Sequence, residues 1–146
     1  MKQGNVSESA TAVRTFSLTR CLYKDNVLPS LNDLLEEAVR HPKAYGEFKR
    51  DMEFKVINAI RLQLKGWKAD TRIRLDITWG EKNKPPLRDF DNVVAGGRKI
   101  INDALTRSKT IAYDNPRFLG YGENTFVYTD KPFIKVEIVE IEDFKK

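Results

Sequence analysis

The chain is predicted to fold as one α+β domain, a compact mixed β-sheet flanked by helices. Three observations lead there. The stretch TRIRLDITW alternates apolar and polar residues without a break, which is the period of a strand with one buried face. Apolar residues recur at helical spacing in LNDLLEEAVR, between Ala44 and Leu64, and again after RDFDN. Two further strand-like segments, FVYT and FIKVEIVEI, close the chain. With 146 residues, of which 40% are hydrophobic, there is material for a single core and none for a second domain of ordinary size.

Residues 1–12 are polar and aperiodic and read as a flexible tail ahead of a domain spanning 13–146. In VRTFSLTRCLY, Phe16, Leu18 and Leu22 fall on one face at period two, with Arg20 interrupting it, so a strand is expected here. KDNVLPS turns the chain. Leu31, Leu34, Leu35, Ala38 and Val39 then mark a short amphipathic helix, which Ser30 is suited to cap, with Asp33 favouring its positive end. His41-Pro42 ends it. The second helix carries Tyr45, Phe48, Met52, Val56, Ala59, Ile60 and Gln63 near one stripe, with Lys49, Arg50, Glu53 and Lys55 largely outside it, and closes at Gly66.

In TRIRLDITW, Ile73, Leu75, Ile77 and Trp79 face one way and Arg72, Arg74, Asp76 and Thr78 the other. GEKNKPP is expected to be a loop, since two prolines and Gly80 oppose regular pairing. After RDFDN, Val93, Gly97, Ile100, Ile101, Ala104 and Leu105 form another helical stripe. Gly96-Gly97 weakens that helix by up to about 2 kcal/mol relative to two alanines, so either it starts after them or they admit a closely packed backbone. RSKTIAYDNPRFLGYGEN reads as a loop with turn signals at Asn115-Pro116 and Gly120.

Composition excludes several kinds of chemistry. Cys21 is the only cysteine and His41 the only histidine, so an intrachain disulfide, a CxxC redox pair and a multi-histidine metal site are impossible. Cys21 is expected to serve as a small apolar core residue. No apolar run approaches the roughly 20 residues of a membrane span. The opening MKQGNVSES has no apolar signal segment behind it, which makes the cytoplasm the expected compartment. The formal charge of +5 permits attraction to phosphate polymers without selecting one.

The pattern richest in chemistry is RDFDN, Arg88 to Asn92. In an extended segment Asp89 and Asp91 project from the same side, and two close carboxylates resist joint ionisation unless a cation compensates. Mg²⁺, which takes hard oxygen ligands and keeps several waters, is a suitable cation; a solvated turn or a helix cap is the plainer account. Asp114 in YDNPR is either a third carboxylate for such a centre or the start of an Asx-type turn. Asp76, flanked by Arg72 and Arg74, is a weaker acidic candidate. Around these carboxylates Arg72, Arg74, Lys82, Lys84, Arg88, Arg98, Arg107, Lys109 and Arg117 provide a basic surround, about half of it expected to meet substrate phosphates. Phe118 and Tyr121 either meet opened bases or anchor their loop.

RDFDN, followed by a helix carrying KIINDAL and then by Asp114 in a loop, resembles the RusA family of Holliday-junction resolvases. The resemblance is strongest from Ile73 to Asn115. It implies a RusA-like fold and a homodimer that uses Mg²⁺ or Mn²⁺ to make paired incisions in four-way junction DNA, a reaction of DNA recombination and repair. It makes Asp89, Asp91 and Asp114 the metal-binding catalytic carboxylates and Lys99 the catalytic lysine. The family's lysine follows the acidic motif by about one helical turn, a position Ala95 holds here, so matching Lys99 requires a four-residue insertion containing Gly96-Gly97. Lys99 otherwise pairs with Asp103 one turn on. The alternative to a nuclease is a noncatalytic nucleic-acid-binding or structural protein that retains this fold.

Overall fold

The computed structural model describes residues 10–113, 115–120 and 122–141. Residues 1–9 of the expected tail, Asp114, Tyr121 and residues 142–146 lie outside them. Among the described residues the order is β1 (Ala10–Leu18), α1 (Leu31–Arg40), α2 (Tyr45–Leu64), β2 (Arg72–Lys82), α3 (Phe90–Arg107), β3 (Leu119–Gly120), β4 (Asn124–Thr129) and β5 (Phe133–Ile141). The fold class is the expected one, a mixed sheet with helices. β1 pairs antiparallel with β5, and β5 antiparallel with β2. Along the other edge of β2 run β3 and β4, both parallel to it. Residues 130–132 carry the chain over the end of β2, where the Asn83 N–H donates to the Thr129 carbonyl at 3.1 Å.

The alternation in β2 places Ile73, Leu75, Ile77 and Trp79 in the core beside Val136 and Ile138 of β5 and Phe16 of β1. Val93, Ile100, Ile101, Ala104 and Leu105 of α3, with Met52, Val56 and Ile60 of α2, complete it. α1 contributes Leu34, while Leu35 and Val39 of its stripe remain exposed. Its start is fixed by a reciprocal cap: Ser30 Oγ accepts from the Asp33 N–H and the Ser30 N–H donates to Asp33 Oδ2. α2 closes as expected, with Lys65 and Gly66 both at positive φ. Gln63 turns its amide onto β1, donating to the Ser17 carbonyl and accepting from the Ser17 N–H, each at 2.8 Å.

Several expectations are corrected. β1 begins at Ala10, inside the stretch read as a tail, and ends at Leu18, before Arg20 breaks the alternation. Leu22 and Tyr23 instead close a turn onto Val27 and Asn26. β2 does not stop at Trp79 but runs through Gly80 and Glu81 to Lys82. A Cβ on Gly80 would stand 2.3 Å from ring carbons of Phe133, so the missing side chain is what admits that ring at the cross-strand position. Cys21, expected in the core, is exposed: it follows the end of β1 at Leu18 and lies in the segment leading to the turn at Tyr23. Glu53, expected outside the core stripe, is only 2% exposed and is neutralised there by Arg107 Nε at 3.0 Å and by Lys49 Nζ at 3.9 Å. The loop after α3 contains the short β3, and Asn115 makes its turn, its Oδ1 accepting from the Arg117 N–H.

The glycine pair in α3 admits close packing; the helix is continuous from Phe90. A Cβ on Gly97 would meet the Trp79 ring at 2.4 Å, and one on Gly96 would lie 2.3 Å from the Ser30 carbonyl carbon and 2.5 Å from the Leu31 nitrogen. The backbones of α1 and α3 therefore touch where α1 begins. Gly96→Ala should lose about 1–3 kcal/mol of stability through overpacking, even though alanine is the better helix former by about 1 kcal/mol. Urea unfolding measures this, and a stability gain would show that the two backbones are not in contact.

Candidate active site

The turn that carries RDFDN is built from the end of β2. Continuing the alternation past Trp79 brings Glu81 to the buried side, where its carboxylate meets Arg88 in a two-pronged pair, Nε to Oε1 at 2.9 Å and Nη2 to Oε2 at 2.7 Å. The same guanidinium donates from Nη1 to the Leu28 carbonyl at 2.8 Å and stands 3.6 Å from Asp33 Oδ2. The two paired side chains are 13% and 7% exposed. Arg88 thus ties three segments together: the end of β2, the approach to α1 with its cap, and the residue before Asp89. Glu81 was not singled out from the sequence, although its odd position in the β2 alternation was a signal of burial.

Asp89 is the N-cap of α3, with an extended backbone and a side chain that accepts from the Asn92 N–H at 3.3 Å and from the Asn92 amide at 3.4 Å. The helix opens at Phe90, so Asp91 sits in its first turn and not beside Asp89 on one side of an extended segment. Both aspartates are exposed. The capping oxygen of Asp89 is Oδ2, which leaves Oδ1 for another cation or donor, and the helix start favours negative charge. Hard carboxylate oxygens facing water suit Mg²⁺ or Mn²⁺. Among the described residues no three His, Cys, Asp or Glu side chains gather closely enough to hold a metal. The third expected ligand, Asp114, lies outside the described residues.

Lys99 is not brought to Asp89 and Asp91. On a continuous helix eight residues separate it from Asp91 by about 12 Å along the axis. Its ammonium stands 3.5 Å from Asp103 Oδ2, and Asp103 also meets Lys49 at 3.4 Å. Asp76 is engaged by Arg74 Nε at 3.2 Å and accepts from the Glu123 N–H at 3.0 Å.

The basic surround divides by what each group already touches. Arg88 is directed into the protein. Lys82 donates to Asp25 and holds that carboxyl below its ordinary range. Arg74 and Arg107 are paired with Asp76 and Glu53. Arg72 and Arg98 also have partners within the protein. Lys84, Lys109 and Arg117 are exposed and form no ion pair among the described residues. Phe118 packs on Tyr113 of the same loop, ring centroids 5.2 Å apart; Tyr121 lies outside the described residues. No helix among the described residues is long and apolar enough to cross a membrane.

Comparison with protein-family models finds no match for the chain, and comparison with curated protein sequences finds none.

Removing Arg88 while leaving Glu81 buried should be costly. Arg88→Met is expected to lose about 3 kcal/mol or more in urea unfolding, because an unpaired buried carboxylate remains. Adding Glu81→Met should recover part of that loss, since replacing both members of a buried pair by apolar groups is often near neutral. Equal stability for the single and double variants would show that the pair is not coupled as described.

Proposed function

We propose that the protein is a metal-dependent, structure-selective endodeoxyribonuclease that resolves four-way DNA junctions as a homodimer. The observation that carries this reading is the exposed pair Asp89 and Asp91 at the start of α3, held in place by the buried Arg88–Glu81 tie. The order of RDFDN, helix and Asp114 in the chain, which resembles RusA resolvases, supplies the word junction. The mixed sheet with flanking helices is compatible with it.

In this reading Asp89, Asp91 and Asp114 hold Mg²⁺ or Mn²⁺ beside the phosphodiester to be cut. Bound there, the ion supplies Lewis acidity towards a phosphoryl oxygen and lowers the pKa of water. The chain's own part is to fix the geometry. Asp89 spends one oxygen on the helix cap and so cannot rotate freely. The first-turn amides of α3 favour a phosphate approaching the same end. Within the basic surround, Lys84, Lys109 and Arg117 form no ion pair among the described residues, so they are the less costly phosphate contacts, whereas Arg74 and Lys82 must exchange a carboxylate for one. Two copies related by a twofold axis present two such sites to opposed strands.

The position of Lys99 favours the alternative, a protein that binds branched nucleic acid without cutting it, because no lysine stands one turn beyond Asp91. Cutting of matched four-way junction, duplex and single strand in Mg²⁺ separates the two. The nuclease reading expects paired incisions in the junction alone, and junction binding without incision supports the alternative. Asp91→Asn should reduce incision by at least 100-fold while junction affinity changes by less than about threefold, since a size-preserving loss of charge removes a metal ligand and no cation. Near-normal cutting by this variant would exclude Asp91 as a ligand.

A further inference from the structure

We infer that Phe90, Glu123 and Asn124 form a subsite for one nucleobase of the strand being cut, an inference that rests on the nuclease reading above. A cavity of about 550 Å³ opens beside the acidic turn, lined by Phe90, Gly122, Glu123 and Asn124. Phe90 is the residue between the two aspartates. Consecutive Cα atoms are about 3.8 Å apart, so a phosphodiester bound through an ion at Asp89 and Asp91 lies within a nucleotide or two of its ring, at about 3.4 Å per nucleotide.

The walls are firm. A Cβ on Gly122 would fall 1.8 Å from the Leu75 carbonyl oxygen, so the floor lies directly on β2. Glu123 is fixed through its backbone, its N–H donating to Asp76 Oδ1 at 3.0 Å and its carbonyl accepting from the Ile77 N–H at 2.9 Å. Phe90 is 42% exposed and packs edge-to-face with Phe126, centroids 4.5 Å apart and planes at 78°. Phe126 in turn meets Tyr128 edge-on at 6.1 Å. An edge-to-face contact covers at most one face of Phe90 and braces the ring.

The polar groups complete a base-recognition set. Asn124 Oδ1 accepts from the Trp79 indole at 2.9 Å. The indole only donates, which fixes the amide orientation and leaves the Asn124 NH₂ as a donor with no partner among the described residues. The exposed Glu123 carboxylate is an acceptor, also without a partner among them. An aromatic ring, a donor and an acceptor around one cavity match a base that stacks and presents both kinds of edge group. A phosphate is a poorer occupant, because Glu123 repels it; an apolar side chain is poorer too, because it leaves the amide and carboxylate unsatisfied.

The test uses the full chain on four-way junctions that differ in one base at the crossover, with single-turnover incision in Mg²⁺ as readout. Glu123→Gln removes the charge of an exposed side chain, and Asn124→Asp keeps the acceptor for Trp79 while removing the donors. Each is expected to change the ranking of the four bases by about tenfold. Phe90→Leu should slow incision of every junction about tenfold with the ranking kept, melting temperature reporting its fold. If wild-type protein cuts all four bases equally, or both polar variants keep the wild-type ranking, the subsite is overturned and the nuclease reading stands. If folded wild-type protein cuts none of the junctions, both fall.

Discussion

The salt bridge between Arg88 and Glu81 is the contact on which the candidate site depends. It is nearly enclosed, and its guanidinium spends every direction of its fork on the protein: two bonds to one carboxylate, a third to the Leu28 carbonyl, and Asp33 nearby. Charge taken out of water is stable only when so completely matched. The reward is positional. Arg88 is the residue before the cap of α3, so the same fork that pins the end of β2 to the start of α1 also sets the direction in which α3 leaves and where Asp89 and Asp91 emerge. The Gly96 contact between α1 and α3 continues this junction about two turns further along the helix. A larger residue there would push on the segment that Arg88 grips.

Most of the fold was legible because its elements obey simple periods. The alternation of Ile73 to Trp79 and the α3 stripe from Val93 to Leu105 both ended in the core. Legibility failed where one tertiary neighbour overrode a local rule. Gly80 resembles a strand breaker until the Phe133 ring fills the space its side chain would take. Glu53 resembles a surface residue until Arg107, 54 residues later, neutralises it. Cys21 resembles a core residue by its type alone, and the segment after β1 leaves it exposed.

The site was legible as a location more than as a set of contacts. RDFDN announced carboxylates together with a helix start, and Asp89 does cap α3. Its arginine looked like a phosphate ligand because a local pattern cannot show that Glu81, seven residues earlier, reaches it. The glycine pair left two possible helices; Lys99 can pair with Asp103 in either, and the continuous one carries it about 12 Å along the axis from Asp91. The cavity next to Phe90 had no sequence signal, since Glu123 and Asn124 stand at the start of β4, more than thirty residues later.

Gln63 gives the sheet a property that its strand order alone does not. Among the described residues β1 lies at one border of the sheet, the position at which another chain can add to a strand. At Ser17 the primary amide of Gln63 supplies a donor and an acceptor with the spacing of a neighbouring peptide unit, so a helix side chain serves as a one-residue substitute strand. Adding a real strand there requires breaking two hydrogen bonds and moving a side chain of α2 first. The protection is one-sided: the border of β1 that β5 pairs is closed by strand pairing, and at Ser17 the opposite border is closed by a side chain.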